Sequence, residues 1–140
     1  DPQENTEIIE NLKVLTKSGM PIFGICLGHQ LLALSIGAQT KKMTFGHRGV
    51  NHPVKDLAHD RTYITSQNHG YAVLGETVNP EIARVSHINI NDNTCEGIEH
   101  LHAPIFTVQY HPEVKPGPED TAYLFDQFIA LMDEKKGGAQ

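Results

Sequence analysis

Cys26 stands in Gly24-Ile25-Cys26-Leu27-Gly28, a G-x-C-x-G run between a short apolar stretch at Pro21 to Ile25 and a helical one from Gln30 to Gly37. A buried strand that turns at once into a helix is the geometry of a nucleophile elbow, and the small flanking residues permit the tight turn. A thiol placed there feels the positive end of the helix dipole and nearby free N–H groups, which favour the thiolate and could stabilise an oxyanion. Packing as a small hydrophobe is the commoner fate of a cysteine. The glycine-flanked turn is what favours the nucleophile.

A nucleophilic thiol needs a base, and among nine histidines His111 stands out. It follows the apolar run Ile105 to Tyr110, and Pro112 behind it confines its backbone to extended conformations. In extended chain, residues two apart point the same way, so the Glu113 carboxylate can accept the second imidazole N–H and fix the tautomer. Alone, His-Pro-Glu is usually a turn; its place after a strand and downstream of the elbow gives it weight. Cys26, His111 and Glu113 then read as a triad.

Other reactive residues are weaker signals. Cys95, before Glu96-Gly97-Ile98, lies in a strand-like run without the glycine-flanked turn and reads as packing. His47 and His52 invite a metal reading, but no Cys or carboxylate at suitable spacing accompanies them, so a structural loop without metal is expected. Asn68-His69-Gly70 by spacing alone is a turn between two strands.

The elements that must position these groups follow from periodicity. Asp1-Pro2-Gln3-Glu4 reads as a helix start, with Asp1 as N-cap, Pro2 in the first turn and Glu4 reaching back. Ile8, Ile9, Leu12 and Leu15 continue that helix until Ser18-Gly19 and Pro21 stop it. Pro21 to Ile25 suits a strand buried on both faces, and the helix after it is apolar enough to be buried on more than one side. Thr40 to Tyr110 is mostly sheet, with strands at 61–65, 83–87 and 105–109. Asp120 to Met132 places Ala122, Phe125, Phe128, Ile129 and Met132 on one face of a covering helix, followed by a loose tail. Helix, strand, helix indicates an α/β class.

Composition narrows the function classes. With 140 residues, 39% apolar and 20% charged, the chain is one unit of ordinary globular character, without repeats or low-complexity tracts. A formal charge of -6 without a basic cluster argues against a nucleic-acid surface. No stretch approaches the length of a membrane span and no signal region opens the chain, so a cytoplasmic location is the default. Two cysteines in unlike contexts do not suggest a disulfide.

Gly24-Ile25-Cys26-Leu27-Gly28-His29-Gln30 together with Tyr110-His111-Pro112-Glu113 resembles the class I, triad-type glutamine amidotransferases. Within that class, the segments Phe45 to Val54, Ser66 to Tyr71 and Pro116-Gly117-Pro118 are similar to the small, glutaminase subunit of carbamoyl phosphate synthase, over nearly the whole chain. The resemblance implies a three-layer αβα, flavodoxin-like domain with a mixed sheet. It implies Cys26 as nucleophile, His111 as general base and later acid, and Glu113 as its orienter, with the Leu27 N–H in the oxyanion hole. L-glutamine contacts carry over onto Leu27, Gln30, Asn68, Gly70 and Tyr71, the last often Phe in the family. No cofactor is expected in this chain; ATP and Mg2+ belong to a partner, the large synthetase subunit, to which ammonia passes through a tunnel. The lack of a Walker-type phosphate loop agrees with chemistry done elsewhere.

The resemblance also implies strands and a further domain upstream. Asp1-Pro2 looks like the end of a Gly-Asp-Pro loop whose glycine N–H completes the oxyanion hole, so an N-terminally truncated, weak or inactive and poorly folding glutaminase is expected of residues 1–140 alone. Alternative readings are the glutaminase of anthranilate or GMP synthesis, a cysteine esterase of α/β-hydrolase type, and a non-catalytic regulatory module. The Asn51-His52-Pro53-Val54 and Gln67-Asn68-His69-Gly70 segments point away from the first, and the esterase would not need Gln30 or Asn68. The joint presence of Cys26, His111 and Glu113 opposes the last.

Overall fold

A computed structural model of the chain describes residues 1–110; the expected helix at 120–132, and His111 and Glu113, lie outside the described residues. Within those described, two helices, α1 (Thr6–Leu15) and α2 (Leu27–Ser35), accompany six strands: β1 (Ile22–Ile25), β2 (Thr40–Asp56), β3 (Arg61–Val73), β4 (Ala83–Asn89), β5 (Cys95–His100) and β6 (Ile105–Val108). They form one mixed sheet in the order β1-β6-β5-β3-β2-β4, and a further pairing of β4 with β5 curls the antiparallel part back on itself. Among the described residues only β1 and β6 run parallel, in register from Ile22↔Ile105 to Ile25↔Val108. A mixed α/β fold is thus as expected. None of the described helices is long and apolar enough to cross a membrane.

Residues 1–5 differ from expectation. Asp1 caps a short 3-10 turn over Pro2–Glu4, accepting from the Gln3 N–H at 2.9 Å, and the α-helix starts only at Thr6. Proline suits the first turn of either helix type, so the sequence signal could not separate them. Of the expected stops for α1, Gly19 takes φ +81°.

Helix α2 packs on the sheet, Leu32 against Gly24 of β1 and Ala33 in a cluster with Val73 and Ile98, and Leu31 is buried beside them. The strand before it comes so close that a Cβ on Gly24 would stand 2.6 Å from Leu32 Cδ1 and 3.1 Å from the Gly28 backbone. Gly24 is therefore a packing requirement. Gly28 is not one, since a Cβ there meets nothing within 4 Å; only one of the two flanking glycines is needed for close approach. On the other side, Phe23 stacks on Phe106 with ring centroids 4.6 Å apart, in a cluster with Val54, Val108 and Tyr110.

Strand β2 reaches its length by bending. Its pairing with β3 shifts register between Lys42 and His47 and again between Gly49 and His52, where Gly46 and Gly49 hold φ of +68° and +99°. A Cβ at Gly46 would lie 2.8 Å from the His69 carbonyl oxygen, so glycine lets the two strands touch. His47 and His52 thus lie on a strand and not in a loop. His47 is turned inward.

The interior of the curled sheet is polar. Gln67 donates from Nε2 to Glu96 Oε2 and to Thr65 Oγ1, while its Oε1 lies 2.8 Å from His69 Nε2 and 3.1 Å from His47 Nδ1. Burial pushes the Glu96 carboxyl up to about 8 and the His69 imidazole down to about 4. At neutral pH the proton therefore resides on Glu96 and the ring is uncharged. Since His69 Nδ1 already donates to the Tyr71 carbonyl at 2.7 Å, a neutral ring offers Gln67 only a bare nitrogen. That state is satisfied when Gln67 turns its NH2 to His69 and accepts the Glu96 proton on its oxygen. Burial likewise holds His29 at about 3 and His87 at about 4.

Two outcomes follow from this packing. Gly24→Ala is expected to lower the unfolding free energy by about 1–3 kcal/mol through overpacking, read as a lower denaturant midpoint at unchanged slope; an unchanged midpoint would contradict the close approach. The buried titrating groups set the second. Below pH 6.5 the unfolded chain takes up protons that His29, His69 and His87 refuse when folded, so stability is lost as pH falls. Between 4.5 and about 8 the unfolded chain releases the proton that folded Glu96 keeps, so stability is lost as pH rises. These histidines, joined by His100, outweigh one carboxyl below 6.5, and among the described shifted groups Glu96 is the one that acts between 6.5 and 8. Thermal stability should peak near pH 6.5, and Glu96→Gln should flatten the fall from 6.5 to 8 while leaving the acid side in place; an unaltered alkaline fall would show that Glu96 is not its source.

Candidate active site

Cys26 lies at the junction of β1 and α2 with φ 55° and ψ -111°. A non-glycine residue there is strained by about 1–3 kcal/mol and persists only where its surroundings fix it. They do so here: the Cys26 N–H donates to the Val108 carbonyl at 2.9 Å, continuing the β1–β6 pairing by one residue, and the Cys26 carbonyl accepts from the Gln30 N–H in the first turn of α2. The strand-to-helix elbow expected from the glycine spacing is the observed geometry.

The thiol is half-buried, and that burial is the largest influence on it, raising its pKa above the usual thiol value. The Leu27 backbone N–H and the Gln109 side chain act in the opposite direction. Burial prevails, so the resting group is a thiol. The helix end is expected to lower the pKa; the Leu27 N–H does act in that direction, but desolvation outweighs it and the net shift is upward. Cys95 is buried on β5 and pushed up to about 12 by burial, inert packing as expected.

A cleft of about 300 Å³ opens over the thiol, and Leu27, Gln30, Asn68, Gly70 and Tyr71 all line it together with Cys26. Asp1, Pro2, Asn5 and His69 complete its walls. Five positions taken from two distant segments therefore meet in one cleft with the Cys26 sulfur. The 68–71 segment is not a turn but the later part of β3, paired with β2 through Arg48↔Asn68 and His47↔His69. A larger cleft of about 420 Å³, near Lys17, Ile36 and His102, holds none of these residues.

Amide side chains organise the floor of the cleft. Gln30 Nε2 donates to the Tyr71 carbonyl at 2.8 Å and to Gln109 Oε1 at 2.9 Å, and Gln109 Nε2 lies 3.8 Å from Cys26 Sγ. Gln109 is fully buried just after β6. Sequence reading overlooked Gln109, Gln67 and Glu96; a glutamine two residues before a histidine carries no spacing signal, and Glu96 looks like any acid after a strand start. His47 and His69 with Glu96 place nitrogen and oxygen atoms within 4.8 Å of one another. A carboxylate does therefore accompany His47, from β5 and so beyond the reach of local spacing. Gln67 and Asp92 already engage these atoms: His47 Nε2 contacts Asp92 at 2.6 Å. The cluster is a hydrogen-bond network.

His111 and Glu113 lie outside the described residues. Sequence places His111 two positions after Gln109, whose amide reaches the sulfur.

Residues 1–131 match the profile of the class-I glutamine amidotransferases. The chain is 55% identical over 133 residues to the carbamoyl phosphate synthase small chain of Symbiobacterium thermophilum, covering 94% of this chain and 36% of that protein. It is 56% identical over 142 residues to the pyrimidine-specific small chain of Bacillus subtilis, covering 99% and 38%. It thus spans a little over a third of the length of these relatives. Among solved structures, one from Thermoplasma acidophilum assigned to a GMP synthase superposes with TM-score 0.76 at 22% identity, over 97% of this chain and 69% of that one. A glutamine amidotransferase from Thermotoga maritima gives 0.63 at 20%, over 96% and 56%. With the elbow, the cleft and these matches together, the chain belongs to the class-I glutamine amidotransferase family.

Proposed function

We propose that the chain is the catalytic part of the glutaminase subunit of a carbamoyl phosphate synthase, hydrolysing L-glutamine to glutamate and ammonia. The observation that carries this reading is the strained Cys26 at the base of a cleft walled by Leu27, Gln30, Asn68, Gly70 and Tyr71. An esterase needs the elbow but not polar side chains able to orient a zwitterion. The relatives at 55–56% identity are carbamoyl phosphate synthase small chains, which favours that role over anthranilate or GMP synthesis.

In the proposed reaction His111, oriented by Glu113, takes the Cys26 proton, because a half-buried thiol does not ionise unaided. The sulfur attacks the side-chain amide carbon, and the charge formed on its oxygen meets the Leu27 N–H at the head of α2. His111 returns the proton to nitrogen, the C–N bond breaks, and ammonia leaves a γ-glutamyl thioester. Water activated by the same imidazole then attacks the thioester, the C–S bond breaks, and glutamate and the thiol are restored. Ammonia passes to a large synthetase subunit, where ATP and Mg2+ serve the synthesis of carbamoyl phosphate. Location in the cytoplasm belongs to the same proposal, as does treating residues 1–140 as part of one amidotransferase domain.

The test is made in the complete natural protein with its partner. A glutamine-like chloroketone should label Cys26, glutamine should protect against it, and Cys26→Ser should abolish labelling and lower ammonia release by about a thousandfold or more. Asn68→Ala should raise KM for glutamine about tenfold, the loss of one hydrogen bond to a charged group. Label at another residue, or undiminished turnover in Cys26→Ser, would refute the assignment.

A further inference from the structure

The amide orientations around Cys26 follow from one atom. The Tyr71 carbonyl oxygen can only accept, so the end of the Gln30 amide facing it at 2.8 Å must be the NH2. Its second hydrogen points to Gln109, 2.9 Å away, so the facing end of the Gln109 amide must be the oxygen. The Gln109 NH2 is then left toward the sulfur at 3.8 Å. No orientation in this chain is a free choice. His69 Nδ1–H donates to the same Tyr71 oxygen at 2.7 Å, which holds that carbonyl between two donors.

We propose that Gln109 is a positioning residue with two tasks: its amide nitrogen holds the Cys26 sulfur, and its oxygen locks Gln30 with the carbonyl end toward the cleft. Both hydrogens of Gln30 Nε2 are committed to Tyr71 and Gln109, so Oε1 is what Gln30 presents to a ligand. Gln30 therefore reads a hydrogen-bond donor on the substrate and rejects an acceptor. Without the Gln109 carbonyl, the Gln30 amide would be held by the Tyr71 carbonyl alone, with one of its two hydrogens uncommitted. On the other side, an N–H dipole aimed at sulfur favours the thiolate over the thiol and works against desolvation at the same atom.

The backbone makes Gln109 fit for this. It is fully buried, its N–H donates to the Glu96 carbonyl at 2.8 Å, and it follows Val108, whose carbonyl holds the Cys26 N–H. The two ends of the Gln109–Cys26 contact are thus fixed on either side of β6, Gln109 by a bond to β5 and Cys26 by a bond that continues the β1–β6 pairing. A solvent-exposed glutamine would lose rotamer freedom on making these bonds; here the sheet has already removed it.

This inference rests on the glutaminase reading for the role of Gln30, but its first test does not use glutamine. Iodoacetamide alkylation of Cys26 is followed against pH in the complete protein and in Gln109→Met and Gln109→Glu, with thermal unfolding as the check on folding. Methionine keeps the length and removes both polar contacts: the alkylation midpoint should move to higher pH, the rate at pH 7 should fall several-fold, and KM for glutamine should rise. Glutamate keeps an acceptor for Gln30 and at pH 9 sets a carboxylate against the sulfur. Its KM should remain within about twofold, while alkylation at pH 9 falls about tenfold or more. If methionine does not fold, the glutamate variant decides. Normal alkylation profiles in the folded variants would overturn the role of Gln109 and leave the glutaminase reading standing, whereas failure of glutamine to protect Cys26 in the unsubstituted protein would overturn that reading.

Discussion

The parallel pairing of β1 with β6 is the constraint on which the site depends. It ends with the Cys26 N–H on the Val108 carbonyl, so residues more than eighty positions apart in sequence are fixed against each other at the point where the chain must turn into α2. Because the pairing stops there, Cys26 is forced to a positive φ and its side chain leaves the sheet toward the cleft. Because β6 also ends there, the next residue, Gln109, reaches the sulfur with its amide. One hydrogen-bond ladder thus builds the elbow and brings its neighbour.

Around this pairing the sheet encloses polar groups where most domains place aliphatic ones. Each buried amide or imidazole without a partner costs about 1–3 kcal/mol, which makes such an interior tolerable only when its bonds are nearly complete. The structure satisfies many of these groups by chaining them: Gln109, Gln30, the Tyr71 carbonyl, His69, Gln67 and Glu96 are linked in series. A chain of this kind restricts rotation more than apolar packing does, since each amide has only one orientation that satisfies both neighbours. The consequence for function is a cleft floor with fixed polarity before any ligand enters.

The sequence made the reactive part of this legible and the supporting part not. Gly24 before Cys26 and an apolar run before both are local signals, and the elbow is a local structure, so it could be read directly. The strands at 61–65, 83–87 and 105–109 were visible because β-branched and aromatic residues cluster between turn residues. The long β2 was not, because Gly46, Gly49 and Pro53 resemble a loop; the two glycines are at the bends that let a seventeen-residue strand follow a curled sheet, and Pro53 pairs in register with Ile64. Asn68 to Tyr71 looked like a turn by composition, yet pairing with β2 keeps it extended. Gln67, Glu96 and Gln109 carry meaning only through partners on other strands, and no spacing within one segment encodes that.

The state of Cys26 connects these observations. Its burial holds the proton on sulfur, while the Leu27 N–H and the Gln109 amide pull the other way without prevailing. A thiol so poised ionises less readily than a free one and needs a push, although fixed dipoles offset part of its desolvation cost. That push must come from a base, and a histidine is the side chain whose proton affinity suits neutral pH. In the proposed reaction that base is His111, two positions after Gln109 in sequence, so base and dipole come from one stretch of chain. Under that proposal reactivity depends on one stretch of sequence, from Val108 through Gln109 to His111, whose first two residues already hold the Cys26 N–H and face its sulfur.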